Sequence, residues 1–108
     1  MQRDPAYLKD ILDSALMAVK YVADLDFEEF AADGMCQDAV IRRLEIIGEA
    51  ARRISDETKE KHKHLPWREM QSMRNLLIHE YDEVDVREVW NTIKTNLPPL
   101  ISELQQLI

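Results

Sequence analysis

The chain has 108 residues and a formal net charge of −7, a length that suits one domain, 1–108, built around one core. Its two glycines, Gly34 and Gly48, compare with about eight expected from average usage, which excludes a glycine-rich phosphate loop and argues against a hairpin-rich β fold. The acidity counts against non-specific coating of nucleic acid, which rests on Lys and Arg neutralising phosphates.

The predicted elements are helical throughout. Asp4-Pro5 reads as a helix start, with Asp4 as N-cap and Pro5 at the first helical position, where its missing N–H is not needed. Leu8, Ile11, Leu12, Ala15, Val19 and Val22 then recur with the spacing of one buried face, so this helix runs to about Val22 or Ala23. Asp26-Phe27-Glu28-Glu29 reads as a capping box opening a short helix that carries Phe27 and Phe30, with Gly34 breaking it. A second long helix is expected from Asp38 to Ile54, with Val40, Leu44, Ile47, Ala51 and Ile54 inward. Gly48 inside it costs about 1 kcal/mol against alanine, and close approach of a neighbouring helix would explain the choice. Ser55 to His64 is a charged connector with room for one helical turn. Pro66 starts a third long helix reaching Glu80, and Asp85 caps a fourth that carries Val86, Val89, Trp90, Ile93 and Leu97. Pro98-Pro99 should kink or interrupt that helix before Leu100, Leu104 and Leu107 continue the stripe. Helices joined by short loops form an all-α, four-to-five-helix bundle.

Cys36 has no partner for an intramolecular disulfide and no CxxC companion. No apolar run approaches the ~18 residues of a membrane span, and the amino terminus lacks a signal-peptide core. A reducing, cytoplasmic setting follows as the expectation. The charge is unevenly spread: residues 1–38 carry a net −6, 39–79 a net +3 and 80–108 a net −4. The middle of the chain is thus a basic island, expected to form one positive cleft on an acidic body.

That island contains the third helix. At about 100° per residue, Trp67, Met70, Leu77, Ile78 and Tyr81 fall within roughly 60° of Arg74, while Arg68, Ser72, Asn75 and His79 form a polar stripe. Asn75 and His79 are i, i+4 neighbours, and the long side chain of Arg74 can span the seam between the two sides. An imidazole, with its ordinary pKa near 6.5, beside a guanidinium suits proton transfer at a phosphodiester. By placement alone, His79 also reads as structural and Tyr81 as a helix-end aromatic packed on the core.

Arg74-Asn75-Leu76-Leu77-Ile78-His79-Glu80-Tyr81 resembles the R-X4-H-X-Y motif of the HepT-like branch of the HEPN (higher eukaryotes and prokaryotes nucleotide-binding) domains. The likeness extends over nearly the whole chain, through Asp10-Ile11-Leu12, residues 39–50, Pro66-Trp67-Arg68-Glu69, Val84-Asp85, Val89-Trp90 and Leu97-Pro98-Pro99-Leu100. The resemblance implies a HEPN-type bundle that forms a homodimer with two copies of the motif in one cleft. It implies the toxin of a type VII-like toxin–antitoxin pair, cutting RNA rather than DNA with no metal or other cofactor. It also implies a minimal nucleotidyltransferase antitoxin that transfers AMP to Tyr81.

RNA supplies its own nucleophile, the 2′-OH, so the protein needs an acid/base and a stabiliser of the charged phosphorane. In that scheme His79 is the acid/base, Arg74 the phosphate clamp and Asn75 a supporting group orienting the imidazole or phosphate. A single histidine cannot be base and acid at once, whereas two protomers contribute two. The alternative, from a different class, is a non-catalytic nucleotide-binding or regulatory module that docks on a nucleotidyltransferase.

Several weaker signals accompany the motif. His62-Lys63-His64 lacks acidic or cysteine partners at ligand spacing and reads as solvated. Arg42, Arg43, Arg52 and Arg53 either line an RNA path or are solvated faces of the second helix. Glu49 is placed for an ion pair with Arg53 at i, i+4.

Overall fold

A computed structural model describes residues 3–79 and 85–108, with the side chains of 75–79 left out of the description. The elements are α1 (Asp4–Tyr21), α2 (Phe27–Ala31), α3 (Gly34–Arg53), α4 (Asp56–Lys61), α5 (Trp67–His79) and α6 (Val86–Asn91), then a π-helical turn (Thr92–Asn96) and α7 (Leu97–Leu107). No strand occurs among the described residues, and the chain is an all-α bundle. The long helix α3 lies at its centre, packed between α1 and α5, and α7 closes the other side of α1.

The inward faces follow the sequence periodicity. Ile11, Ala15 and Val22 from α1 and its end, and Val40, Leu44, Ile47, Ala51 and Ile54 from α3 and its end, are all buried. Met70 of α5 joins them with Val89, Ile93, Leu97, Leu100 and Leu104, while Leu8, Leu12 and Val19 pack against the margin of this core. Removing a buried side chain of this size to alanine typically costs about 2–5 kcal/mol, so the apolar stripes fix the relative placement of α1, α3 and α5. The short α2 is held by aromatic contacts: the rings of Phe27 and Phe30 lie 6.0 and 5.3 Å from that of Trp90.

Locally encoded caps stand where the residues call for them. Asp26 accepts from the Glu29 backbone N–H at 2.8 Å, and the Glu29 carboxylate accepts from the Asp26 N–H at 2.9 Å, completing the capping box. Asp85 accepts from the Glu88 N–H at 3.1 Å. Ser55 caps α4, the helical turn expected in the connector, which runs over six residues.

Three expectations need correction. Gly34 does not break a helix; the chain turns at Ala32-Asp33, Asp33 caps α3 through the Cys36 N–H at 3.0 Å, and Gly34 is the first residue of α3. The second long helix therefore starts four residues before Asp38. The helix that starts after Asp85 is interrupted before Leu100 as expected, but not at Pro98 and Pro99, which occupy the first turn of α7. The disturbance falls ahead of them, in the π-helical turn Thr92–Asn96, because prolines deprive the preceding turn of its ordinary i→i−4 donors.

Asp4 is the third. The N-cap is Arg3, and Asp4 lies inside α1 with only 4% of its surface exposed. Its carboxylate accepts from Ser55 N at 3.1 Å, Ser55 Oγ at 2.6 Å and Thr58 Oγ1 at 2.6 Å, tying the start of α1 to the start of α4. Burial pushes this carboxyl up, but the hydrogen bonds from Ser55 and Thr58 outweigh it and lower the pKa from 3.8 to about 2. A folded pKa below the unfolded one contributes stability above the unfolded value that is lost as pH falls through the folded value. The shift corresponds to about 2 kcal/mol. Asp4→Ala is therefore expected to be less stable than the parent by at least about 2 kcal/mol at pH 7, with the gap shrinking between pH 4 and pH 2. Urea titrations of both proteins across that range measure it.

No described helix is long and apolar enough to cross a membrane.

Candidate active site

Gly48 determines how closely α5 lies on α3. A Cβ built there would stand 2.8 Å from Arg74 Cβ, 3.0 Å from Arg74 N and 3.1 Å from the Met70 carbonyl oxygen. Gly48 does not have a positive φ, so space rather than backbone conformation requires the glycine. The neighbouring helix expected from the sequence is α5, and the residue seated on Gly48 is Arg74.

This close crossing brings Arg74 to Glu49. Arg74 Nε stands 3.0 Å from Glu49 Oε2 as an ion pair, while Arg52 Nη2 and Arg53 Nη2 donate to Glu49 Oε1 at 2.9 and 3.2 Å. The i, i+4 pair with Arg53 exists as expected, but one carboxylate serves three guanidinium groups. The hydrogen bond from Arg52 is the foremost cause that holds the Glu49 carboxyl below its usual range, partly opposed by desolvation and reinforced by the charges of Arg52, Arg74 and Arg53. Glu49 was missed as a partner for Arg74. The available signal was an acid directly after a mid-helix glycine in the basic part of the chain.

Beside this cluster is a cavity of about 260 Å³ between α1, α3 and α5. Tyr7 and Asp10 line it from α1, Arg42, Glu45, Glu49 and Arg53 from α3, and Arg74 from α5. Three arginines thus face three carboxylates, and the surplus of positive charge expected for the cleft is absent from this lining. Arg43 turns the other way, its Nη1 lying 3.5 Å from the sulfur of Met17 on α1.

The remaining motif positions are described only in part. Asn75 and His79 belong to the backbone of α5, one turn apart, with side chains outside the described residues. Tyr81 and Val84 lie wholly outside them. Of the weaker candidates, His64 Nε2 stands 3.3 Å from Glu103 Oε2, and the His62 carbonyl accepts from Trp67 Nε1 at 3.0 Å, anchoring the start of α5. Among the described residues, no group of three His, Cys, Asp or Glu side chains is arranged to hold a metal ion. Burial, with a smaller contribution from Asp33, raises the Cys36 thiol, which suits a packing role better than a reactive one.

Comparison with known proteins identifies the family. The model of a family described as "Ribonuclease HepT-like" matches residues 11–107. The chain belongs to the HepT-like family. It is 44% identical over 101 residues to a protein named "Probable ribonuclease HepT" from Thermococcus cleftensis, covering 94% of this chain and 92% of that one. A protein of Methanocaldococcus jannaschii named a "Putative RNase" is 42% identical over 100 residues, covering 93% and 92%. Another protein so named, from Caldanaerobacter subterraneus subsp. tengcongensis, is 37% identical over 108 residues, covering 100% and 96%. No solved structure matches. The matched stretch includes the Gly48/Arg74 crossing and the whole R-X4-H-X-Y motif, so the HepT-like assignment covers every candidate residue.

Proposed function

We propose that this HepT-like protein is a metal-independent endoribonuclease, the toxin of a toxin–antitoxin pair. The observation that carries the reading is a family match extending over the motif, together with an arginine at the motif position that stands beside an open cavity, its side chain 38% exposed. In this reading Arg74 clamps the phosphate of RNA and stabilises charge as the phosphorane forms. His79 transfers the protons: one imidazole takes the 2′-OH proton while a second, from the other protomer of a homodimer, protonates the leaving 5′-oxygen. Asn75 orients the imidazole or the phosphate. Attack by the 2′-OH leaves a 2′,3′-cyclic phosphate and a 5′-hydroxyl.

The test is cleavage of RNA by the purified chain in EDTA, with the ends characterised, alongside growth after induction of the chain alone. Metal-free cleavage and growth arrest, both dependent on His79, are the expected results. Full cleavage by a clean His79→Ala preparation would sink the reading. The balanced charge of the cavity and the acidic body favour a second reading, a non-catalytic module that binds a nucleotide or docks on a nucleotidyltransferase; absence of both cleavage and arrest selects it.

Neutralisation by a cognate nucleotidyltransferase through AMP transfer to Tyr81 belongs to the same reading. An added AMP brings an anion and considerable bulk to the motif, where it would compete with substrate for the Arg74 clamp. Intact-mass measurement of protein made together with the nucleotidyltransferase should show one or more AMP additions, lost in Tyr81→Phe. Unmodified protein that is nonetheless inactive would make the inhibition steric.

A further inference from the structure

We propose that Glu49 is a positioning residue for the phosphate clamp, acting through Arg74; the proposal rests on the ribonuclease reading. A guanidinium is planar and presents its donors along two useful edges. Glu49 Oε2 stands 3.0 Å from Nε as an ion pair, so the carboxylate lies on the Nε side of the guanidinium and the edge formed by the two Nη atoms faces away from it, free to meet a phosphate in bidentate fashion.

The carboxylate that orients Arg74 is itself fixed. Its other oxygen lies 2.9 Å from Arg52 Nη2 and 3.2 Å from Arg53 Nη2, one turn further along the same helix. The hydrogen bonds to these arginines also keep Glu49 ionised into acid solution. An isolated surface pair of this exposure would be worth little to folding. Its consequence is directional: rotation about the arginine side chain is restricted at the point where Gly48 already holds the Arg74 backbone against α3. Supporting contacts of this kind maintain the narrow tolerances that a charge-stabilising group requires.

The experiment measures steady-state cleavage of a defined RNA by the full chain carrying Glu49→Ala, Glu49→Gln, Arg74→Ala, or Glu49→Ala with Arg74→Ala. Circular dichroism melts confirm folding, and the Arg74 Nε–H resonance is followed by NMR. Glu49→Ala should lower kcat about 10-fold or more with KM changed less than about two-fold, because a misaligned clamp loses mainly transition-state contact. Glu49→Gln, whose amide oxygen keeps a partial negative charge beside Nε, should recover part of that loss. In the Arg74→Ala background, removing Glu49 should change the residual rate by less than about two-fold. The Nε–H resonance, with the carboxylate 3.0 Å from Nε in the parent, should shift in Glu49→Ala.

Wild-type kcat in Glu49→Ala, with Arg74→Ala inactive, overturns the positioning role and leaves the clamp standing. An equal loss on removing Glu49 in both backgrounds also overturns it, since Glu49 would then act independently of Arg74. Wild-type cleavage by Arg74→Ala overturns the clamp itself, a failure recognisable because the Nε–H signature persists in the parent.

Discussion

Alanine at His79 or Arg74 is expected to abolish most RNA cleavage while leaving a folded protein. Loss of a general acid–base group typically costs about 10²–10⁴ in rate, and loss of a donor aimed at developing charge about 10²–10³. The two variants should therefore stand far below the parent, with neither needing a change in fold to explain it. Arg74 is partly exposed and Glu49 keeps Arg52 and Arg53 as partners when it is removed. The stability lost with so exposed an ion pair should be small. Thermal melts separate the two effects. A melting temperature near that of the parent, combined with cleavage at the full rate in either variant, would remove that residue from the mechanism.

Gly48→Ala is expected to have the larger structural effect. In an open helix, alanine is favoured over glycine by about 1 kcal/mol. Here the added methyl would meet Arg74 Cβ at 2.8 Å and Arg74 N at 3.0 Å. Neither atom is the movable end of a side chain, so α5 as a whole must retreat. Overpacking of this kind costs about 1–3 kcal/mol, enough to cancel and reverse the helix-propensity gain. Because the residue displaced is Arg74, cleavage should fall together with stability. Gly34→Ala supplies the control, since nothing lies within 4 Å of a Cβ there and φ is not positive. That substitution should be neutral or stabilising by up to about 1 kcal/mol and leave the rate unchanged. Equal melting temperatures for the two variants would show that the α3–α5 crossing is looser than the geometry indicates.

Whether a feature was legible depended on how far along the chain its partners lie. The capping box of Asp26 and Glu29 and the cap at Asp85 involve residues three positions apart, so local chemistry was enough. Asp4 offered the same kind of local signal and misled, because its acceptors serve Ser55 and Thr58, 51 and 54 residues away. The proline pair was legible as a disturbance but not as a helix start, since a helix that continues through a widened turn keeps the apolar stripe of Ile93, Leu97, Leu100 and Leu104 buried.

The small, glycine-poor, acidic composition and the apolar stripes determined the fold class, and the resemblance carried by the R-X4-H-X-Y motif with the blocks on either side of it pointed to the family and the candidate residues. Each is a property of residues within a few turns of one another or of the chain taken as a whole. Only the tertiary structure decided which helix lies on Gly48, and therefore that Glu49 meets Arg74 while Arg52 and Arg53 meet Glu49. Helical periodicity specifies which face of a helix is buried; the crossing that brings two faces together depends on packing volumes summed over both helices. Likewise, the positive charge of the central segment was plain from counting, but its pairing with Asp10, Glu45 and Glu49 around the cavity required α1 and α3 to be set side by side.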